Sequence, residues 1–298
     1  MATLKEVKTK ISSVKKTKQI TSAMKMVATS RLRGAQESMD AFKPYASKFA
    51  EVLGSIAGKA AEDASPLLVP REEVTKVAIV LCTSDRGLCG GFNVNLIDKA
   101  EKFAKNELAG KDVSFACFGK KGRDWARKNA KPITDEYIGI VGGHFDFNVA
   151  ATSGQKLINS FLEGTVDEVY LVCSEFKTLA RQIPVVKQIL PIPSLAEVAV
   201  SETTQAAGET QYLAEHICEP SSDALLGEML PKNVYIQIYN ALLQTSTSEH
   251  ASRMKAMENA TKACKDMIDE LQTIYNKTRQ AGITADLMDI VGGAEALN

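Results

Sequence analysis

Residues 77–95 read VAIVLCTSDRGLCGGFNVN: a solid apolar run, three glycines within five residues, and the start of a helical pattern. An apolar run of this kind is typical of a strand buried on both faces, as in the parallel sheets of α/β proteins. The turn that follows such a strand is where these proteins often hold a phosphate, at the N-terminus of a helix. The stretch therefore indicates an α/β fold and raises the question of whether its loop binds a nucleotide.

The glycine loop lacks the groups that a phosphate site needs. A P-loop reads GxxxxGK[ST], in which the lysine reaches the phosphates and the hydroxyl binds magnesium. Here GLCGG at 87–91 is followed by Phe-Asn, and the order is not GxGxxG either. Asp85 would place a negative charge where a phosphate would lie, although Arg86 could offset it. Spacing therefore favours a tight strand-to-helix turn over nucleotide binding, and a second weak glycine pair, FGKKG at 118–122, changes nothing.

The middle of the chain alternates between apolar strands and helical patterns. Candidate strands cover 77–83, 113–118, 133–140, 169–173 and 185–190, and candidate helices cover 94–108, 123–130 and 149–162. Strands that alternate with helices in this way favour a mostly parallel sheet. We therefore predict a Rossmann-like α/β domain over 74–192. The small, polar residues that follow predict a mobile excursion over 193–220.

Both ends of the chain carry a different, heptad pattern. In the N-terminal helix, predicted over 1–60, the seam is apolar except at Lys18, Thr21 and Lys25; with 3,4 spacing it comprises Leu4, Val7, Ile11, Val14, Lys18, Thr21, Lys25, Ala28, Leu32, Ala35, Met39, Phe42, Ala46, Phe49, Leu53 and Ile56. The C-terminal helix, predicted over 221–298, repeats the spacing at Met254, Met257, Thr261, Cys264, Ile268, Leu271, Tyr275 and Thr278. Such a seam is typical of helices wound on each other, so we predict an antiparallel coiled coil of the two termini, kinked at Pro44.

A second apolar face lies beside the seam of the first helix, at Ile20, Met24 and Val27. Residues 1–33 also carry nine Lys and Arg against one acid, Glu6. Two explanations stay open for this face: packing on the chain's own middle domain, or insertion into an apolar socket of another protein whose wall is acidic.

Bulk properties exclude several classes of protein. The net charge is zero and the basic helix has no interleaved aromatics, which argues against nucleic-acid binding. The longest apolar run is six residues, far short of a membrane helix, and no apolar signal core predicts secretion. Six cysteines fit no zinc spacing and three scattered histidines suggest no triad, so we expect reduced thiols, no metal and no catalytic constellation. A nucleotide-dependent enzyme is therefore less favoured than a mechanical or scaffolding part.

Three motifs resemble one family: KISSVKKTKQITSAMKMVATSRL at 10–32, SDRGLCGGFN at 84–93 and YNKTRQAGITADLMDIVGGAEAL at 275–297. Together they resemble the γ subunits of F-type, rotary ATP synthases, over essentially the whole chain. The resemblance implies a central shaft within the hexamer of α and β subunits, and a body that meets the ε subunit and the ring of c subunits. It implies no cofactor and no catalytic residue, since the chemistry belongs to β, and it implies a part in regulating ATPase activity and proton flow. It also implies a peripheral complex on the cytoplasmic side of the membrane.

The resemblance extends to individual residues. Met24 and Lys25 match the position near an acidic loop of a β subunit. Four polar residues match positions that bond to α/β loops as the shaft turns: Arg253, Arg279, Gln280 and Thr284. The stretch around Glu215 and His216 resembles the foot that meets the ring, and Ile20 and Val27 are expected to face the hexamer.

Overall fold

The computed structural model describes residues 4–57, 65–143, 145–193 and 222–295. In chain order its elements are α1 (Leu4–Ala57), β1 (Lys76–Cys82), α2 (Phe92–Asn106), β2 (Asp112–Phe118), α3 (Lys120–Lys128), β3 (Ile133–Tyr137), α4 (Phe147–Leu162), β4 (Glu168–Phe176), β5 (Gln182–Leu190) and α5 (Ser222–Glu295). The predicted fold class, a mostly parallel α/β sheet between two long terminal helices, is confirmed. The first helix continues through Pro44; a kink there stays a prediction.

The sheet has the order β3-β2-β1-β4-β5. Strands β1 to β4 are parallel to one another, whereas β5 runs antiparallel to β4. The reason is the length of the connection, since only residues 177–181 join these two strands. They form a tight turn in which the N–H of Arg181 donates to the carbonyl of Thr178. A parallel crossover needs a dozen residues or more, so a five-residue link permits only an antiparallel pair.

Alternate residues of the strands build two apolar layers, one on each face of the sheet. In β1, Val77, Ile79 and Leu81 join α2 and α3 in one layer. Their neighbours Ala78, Val80 and Cys82 join α4 and the neighbouring parts of the long helices in the other. All six are 2 % exposed or less. Burial on both faces explains why this strand reads as a solid apolar run.

The chain divides into two compact units. One, here called the helical unit, contains Met1–Ser30 and Arg253–Asn298; the other, here called the α/β unit, contains Arg31–Ser252. Each of the long helices contributes to both units. Since the candidate shaft residues that would face the hexamer lie in the helical unit and the sheet lies in the α/β unit, the two units are described separately.

Candidate functional site

The helical unit is held together by the predicted seam. Val7 and Ile11 of α1 cluster with Leu271 of α5, and all three are buried. Of all the seam positions that the heptads predict along both helices, each of which the structure describes, none is exposed. Burying an aliphatic side chain stabilises a fold by about 1.5–3 kcal/mol, so the seam is the principal stabilising contact within this unit.

Polar contacts set the register of the seam in the section where polar residues replace the apolar ones. The hydroxyl of Thr261 donates to that of Thr21 at 2.9 Å, and Lys25 Nζ lies 2.8 Å from Glu258 Oε1. Hydrogen bonds from Lys25 and Lys255 lower the pKa of the Glu258 carboxyl. Lys25, expected to face an acidic loop of a partner, therefore already has an acidic partner within this chain.

The second apolar face of α1 lies in solvent. Ile20 and Val27 are 59 % and 55 % exposed, while Met24 is half-buried. An α-helix turns about 100° per residue, which places Ile20 and Val27 more than a quarter turn from the seam residue Thr21 and puts Met24 between the two directions. Within the helical unit this face has no apolar cover, a fact that argues against ordinary packing in this unit.

The last part of α5 is also exposed. Leu4 lies 17 residues before Thr21, and Thr278 lies 17 residues after Thr261, so an antiparallel register brings the start of α1 level with Thr278. Every residue of 279–294 is exposed, including Arg279, Gln280 and Thr284. Large apolar side chains recur along this stretch with exposures of 52–68 %; they are Ile283, Leu287, Met288, Ile290 and Val291. A helix this apolar without a partner helix presents a binding surface.

The remaining predicted contact residues are less informative. Arg253 is half-buried in the helical unit. Glu215 and His216, predicted for the foot, lie outside the described residues, as does the predicted excursion. Ile20, Val27 and the end of α5 are therefore all exposed parts of one unit, and the foot stays a prediction.

In the α/β unit, hydrogen bonds from neighbouring parts of the chain hold the glycine loop in place. The Asp85 carboxylate accepts hydrogen bonds from the backbone N–H of Lys120 (2.9 Å), at the start of α3, and of Gly139 (3.0 Å). Asn93 side-chain atoms bond to Ser84, which fixes the turn from the opposite side. A negative charge thus occupies the N-terminus of α3, which disfavours binding of an anion beside the loop.

The neighbouring glycines are structural. Gly119 has φ +96°, and a Cβ there would lie 2.1 Å from the carbonyl oxygen of Thr83. The Thr83 hydroxyl accepts the N–H of Gly122 at 2.8 Å. FGKKG therefore allows α3 to approach β1 closely, and its lysines are not arranged around a ligand cavity.

A buried polar contact in the same unit was not predicted from the sequence. Six consecutive residues of α5, from Thr245 to His250, are at most 4 % exposed. The N–H of Ser174 in β4 donates to Thr245 Oγ1 (3.3 Å), and Ser248 Oγ donates to the Ser174 carbonyl (3.4 Å). The one feature of the sequence at this position is a run of small hydroxyl residues in QTSTSEHAS at 244–252.

Other kinds of site find no support in the part of the chain that the structure describes. Within those residues no cluster of three or more His, Cys, Asp or Glu side chains has the arrangement of a metal site. None of the described helices combines the length and apolarity needed to cross a bilayer. Cys82, Cys117 and Cys173 are free, buried thiols, and burial raises the pKa of each, to about 12 for Cys117 and about 11 for Cys173.

Comparison with known proteins gives consistent matches along the whole chain. The family model described as ATP synthase matches residues 3–297. The ATP synthase gamma chains of Desulforapulum autotrophicum and Desulfosudis oleivorans are 79 % and 61 % identical, with 100 % of this chain and at least 99 % of each relative covered.

Solved structures agree on the fold. A chain of the Euglena gracilis mitochondrial ATP synthase (OSCP/F1/c-ring) superposes with a TM-score of 0.67 at 18 % identity, covering 99 % of this chain and 94 % of that one. A chain of the Tetrahymena thermophila central stalk and c-ring gives 0.57 at 24 %, covering 81 % and 99 %. With the family model matching residues 3–297 and gamma-chain relatives 79 % and 61 % identical over the full length, the chain belongs to the family of ATP synthase gamma chains.

Proposed function

We propose that the chain is the central rotor shaft of a proton-translocating ATP synthase. In this role it couples ion flow through a membrane ring to ATP synthesis or hydrolysis at the catalytic sites of the β subunits, and it contributes to regulating ATPase activity and proton flow. The gamma-chain relatives and the central-stalk assemblies of the solved neighbours support the role. The chain is itself non-catalytic and works by changing the conformation of its partners.

One observation carries the proposal: the helical unit is packed along its seam and apolar on its outside. Ile20, Val27 and the apolar residues of 283–291 are each more than half exposed. Exposed apolar surface of this extent is costly in water and marks an interaction site. We propose that the α/β hexamer covers this surface. Its apolar socket encloses the end of α5, and Arg279, Gln280 and Thr284 meet polar loops of the hexamer.

Charge supports the same partner. Residues 1–33 carry nine cationic side chains and a single acidic one. Lys25 is neutralised by Glu258, whereas Lys15 and Lys16 lie on the exposed side of α1. A wall of acidic groups on the β subunits complements these cations. Such pairs favour orientation and association rate more than affinity, as suits a surface that must slide during rotation.

The other end of the rotor is proposed to meet the c-subunit ring and the ε subunit through the foot around Glu215 and His216. The complex then lies on the cytoplasmic side of the membrane and contacts the bilayer only through its membrane sector. The closed loop at Asp85 supports the non-catalytic role, since the nucleotide is bound by the partner. No cofactor is required.

The test is reconstitution of the chain with α, β and ε subunits on membranes that retain the ring. We expect wild-type chain to restore ATP-driven proton pumping. Ile283→Ser with Leu287→Ser should weaken assembly, because apolar surface that the socket buries is lost. Leu162→Ser, at a site 51 % exposed on α4 in the α/β unit, is the matched control and should assemble normally. Restored pumping without stable α/β association would contradict the proposal.

A further inference from the structure

The point where the strand order reverses lies between β1 and β4. In open α/β sheets a crevice forms there, outside the carboxyl ends of the strands, and it is the usual place for a ligand. Here β1 and β4 pair only as far as Leu81 and Val172. After Cys82 the chain turns away from β4 and towards β2, where the N–H of Thr83 donates to the carbonyl of Phe118. Strand β4 continues past this divergence without β1 beside it.

Ser174 is the β4 residue most affected by the divergence. Its partner in β5 is Pro184, which has no backbone N–H, so the two form a pair without hydrogen bonds and the N–H and carbonyl of Ser174 point to the side that β1 has left. Ser174 is nonetheless only 2 % exposed, so its own backbone groups require partners inside the protein. The hydroxyls of Thr245 and Ser248 in α5, both fully buried, serve its N–H and its carbonyl. The helix thus takes the place that a ligand occupies in other α/β sheets.

A third hydroxyl continues the contact. Ser252 Oγ donates to Gln182 Oε1 of β5 at 3.0 Å. With a spacing of three and then four residues, these three hydroxyls form one face of the helix. A cavity of about 90 Å³ lies beside this contact, and Gly91, Asn95, Ser174, Gln182 and Ser252 are among the residues that line it.

The contact is sensitive to helix register. A slide of one turn, about 5.4 Å, would bring Ala241 or Glu249 to the position of Thr245. Alanine has no hydroxyl to accept the Ser174 N–H, and glutamate is too large and is charged. A smaller rotation would turn the hydroxyls away from a backbone N–H and carbonyl that are fixed in the sheet. A slide by three residues would put Ser248 at the position of Thr245, but it would also put Ala251 opposite the Ser174 carbonyl. The observed register therefore satisfies both backbone groups of Ser174, and a slide of one turn leaves at least one of them without a suitable partner.

We propose that Thr245, Ser248 and Ser252 form a register key that locks α5 to the sheet, so that rotational force passes between helix and body without slip. The proposal rests on the rotor function proposed above and names the residues that transmit force inside the α/β unit. These are positioning residues, since they act through the helix and contact no partner subunit in this role.

The test compares two changes of the same kind. Thr245→Val removes the hydroxyl that accepts the Ser174 N–H. Thr247→Val, the control, is equally buried, but its hydroxyl only donates to the Leu243 carbonyl within the same helix. Both variants are assembled into the complete complex. One measurement is deuterium exchange of the peptide that contains β4, and the other is the number of protons pumped per ATP hydrolysed.

We expect Thr245→Val to speed exchange of the β4 peptide by about fivefold or more, because a buried donor loses its partner. It should also lower pumping per ATP while hydrolysis continues, and Thr247→Val should change neither. Ser248→Ala is the second variant, used where Thr245→Val does not fold, and should show the same two effects in smaller measure.

Faster exchange with unchanged pumping would make the contact merely structural and overturn the proposal. Equal behaviour of Thr245→Val and Thr247→Val in both measurements would overturn it as well. Failure of the wild-type complex to pump would instead refute the rotor function itself, so the two failures are distinguishable.

Discussion

The seam and the outer face of the helical unit should respond in opposite ways to loss of apolar surface. Leu271 is 8 % exposed and packs with Val7 and Ile11. Leu271→Ala removes buried methyl groups and leaves a cavity between two helices that have few other apolar contacts at this level. We expect it to lower the free energy of unfolding of the isolated chain by about 2–4 kcal/mol.

Ile20 and Val27 should behave as surface residues in the isolated chain. Less than half of each side chain is removed from water, since they are 59 % and 55 % exposed. Serine has nearly the same intrinsic helix propensity as isoleucine and valine, so the helix itself is little affected. Changing both to serine should therefore cost the isolated chain less than about 1 kcal/mol.

The assay has two arms, denaturant unfolding of the isolated chain and assembly with α and β subunits. Leu271→Ala should fail chiefly in the first arm, and Ile20→Ser with Val27→Ser in the second. Val94→Ser, at a site 66 % exposed on α2, is the control and should be normal in both. If the double variant destabilises the isolated chain as much as Leu271→Ala yet assembles normally, the outer face is internal core and the socket explanation is refuted.

Three further predictions concern the α/β unit and the thiols. Calorimetry on the isolated chain should give no micromolar binding of ATP, because the glycine loop lacks the lysine and hydroxyl of a phosphate site and the Asp85 carboxylate occupies the N-terminus of α3 beside it. Iodoacetamide at pH 8 should alkylate the half-buried Cys264 well before Cys117, whose burial raises its pKa to about 12, and mass spectrometry of each peptide measures the order. Backbone hydrogen bonds lower the pKa of the Asp167 carboxyl, so its stabilisation is present above the ordinary carboxyl pKa of about 3.9 and is lost as the pH falls through the lowered value. Asp167→Ala should therefore lose about 1–3 kcal/mol at pH 7 and converge on wild type in acid, whereas the exposed Asp98→Ala should stay within about 0.5 kcal/mol, as unfolding curves across pH would show.

Periodicity predicts most of the fold because burial follows it closely. The solid apolar run of β1 reflects two covered faces, and the 3,4 spacing of α1 and α5 reflects one covered stripe on each helix. The strands and helices of 74–192 lie within three residues of their predicted ends. The exposed position of Ile20 and Val27 was also predictable, since an apolar residue a quarter turn off a seam cannot join it.

Contacts between segments distant in sequence were not predictable in the same way. Nothing in the pattern indicates that Lys25 pairs with Glu258, 233 residues away. The link between Ser174 and α5 depends on where β1 leaves β4, and this is a property of the folded sheet. A serine or threonine in a helix is ordinarily explained by bonds to its own backbone, as Thr247 makes, so the run at 244–252 carried no clear signal.

The two filled positions at the carboxyl edge of the sheet have a common physical consequence. Asp85 places a carboxylate at the N-terminus of α3, and α5 places hydroxyls at the point where β1 and β4 diverge. Both are positions at which α/β proteins usually bind a ligand, and ligand binding there makes loop positions and stability depend on ligand concentration. Because both groups belong to the chain, we expect this edge to keep one conformation whatever the nucleotide level. A part that transmits force needs this constancy, since a body that loosened whenever ATP fell would lose coupling under the conditions in which coupling is most needed.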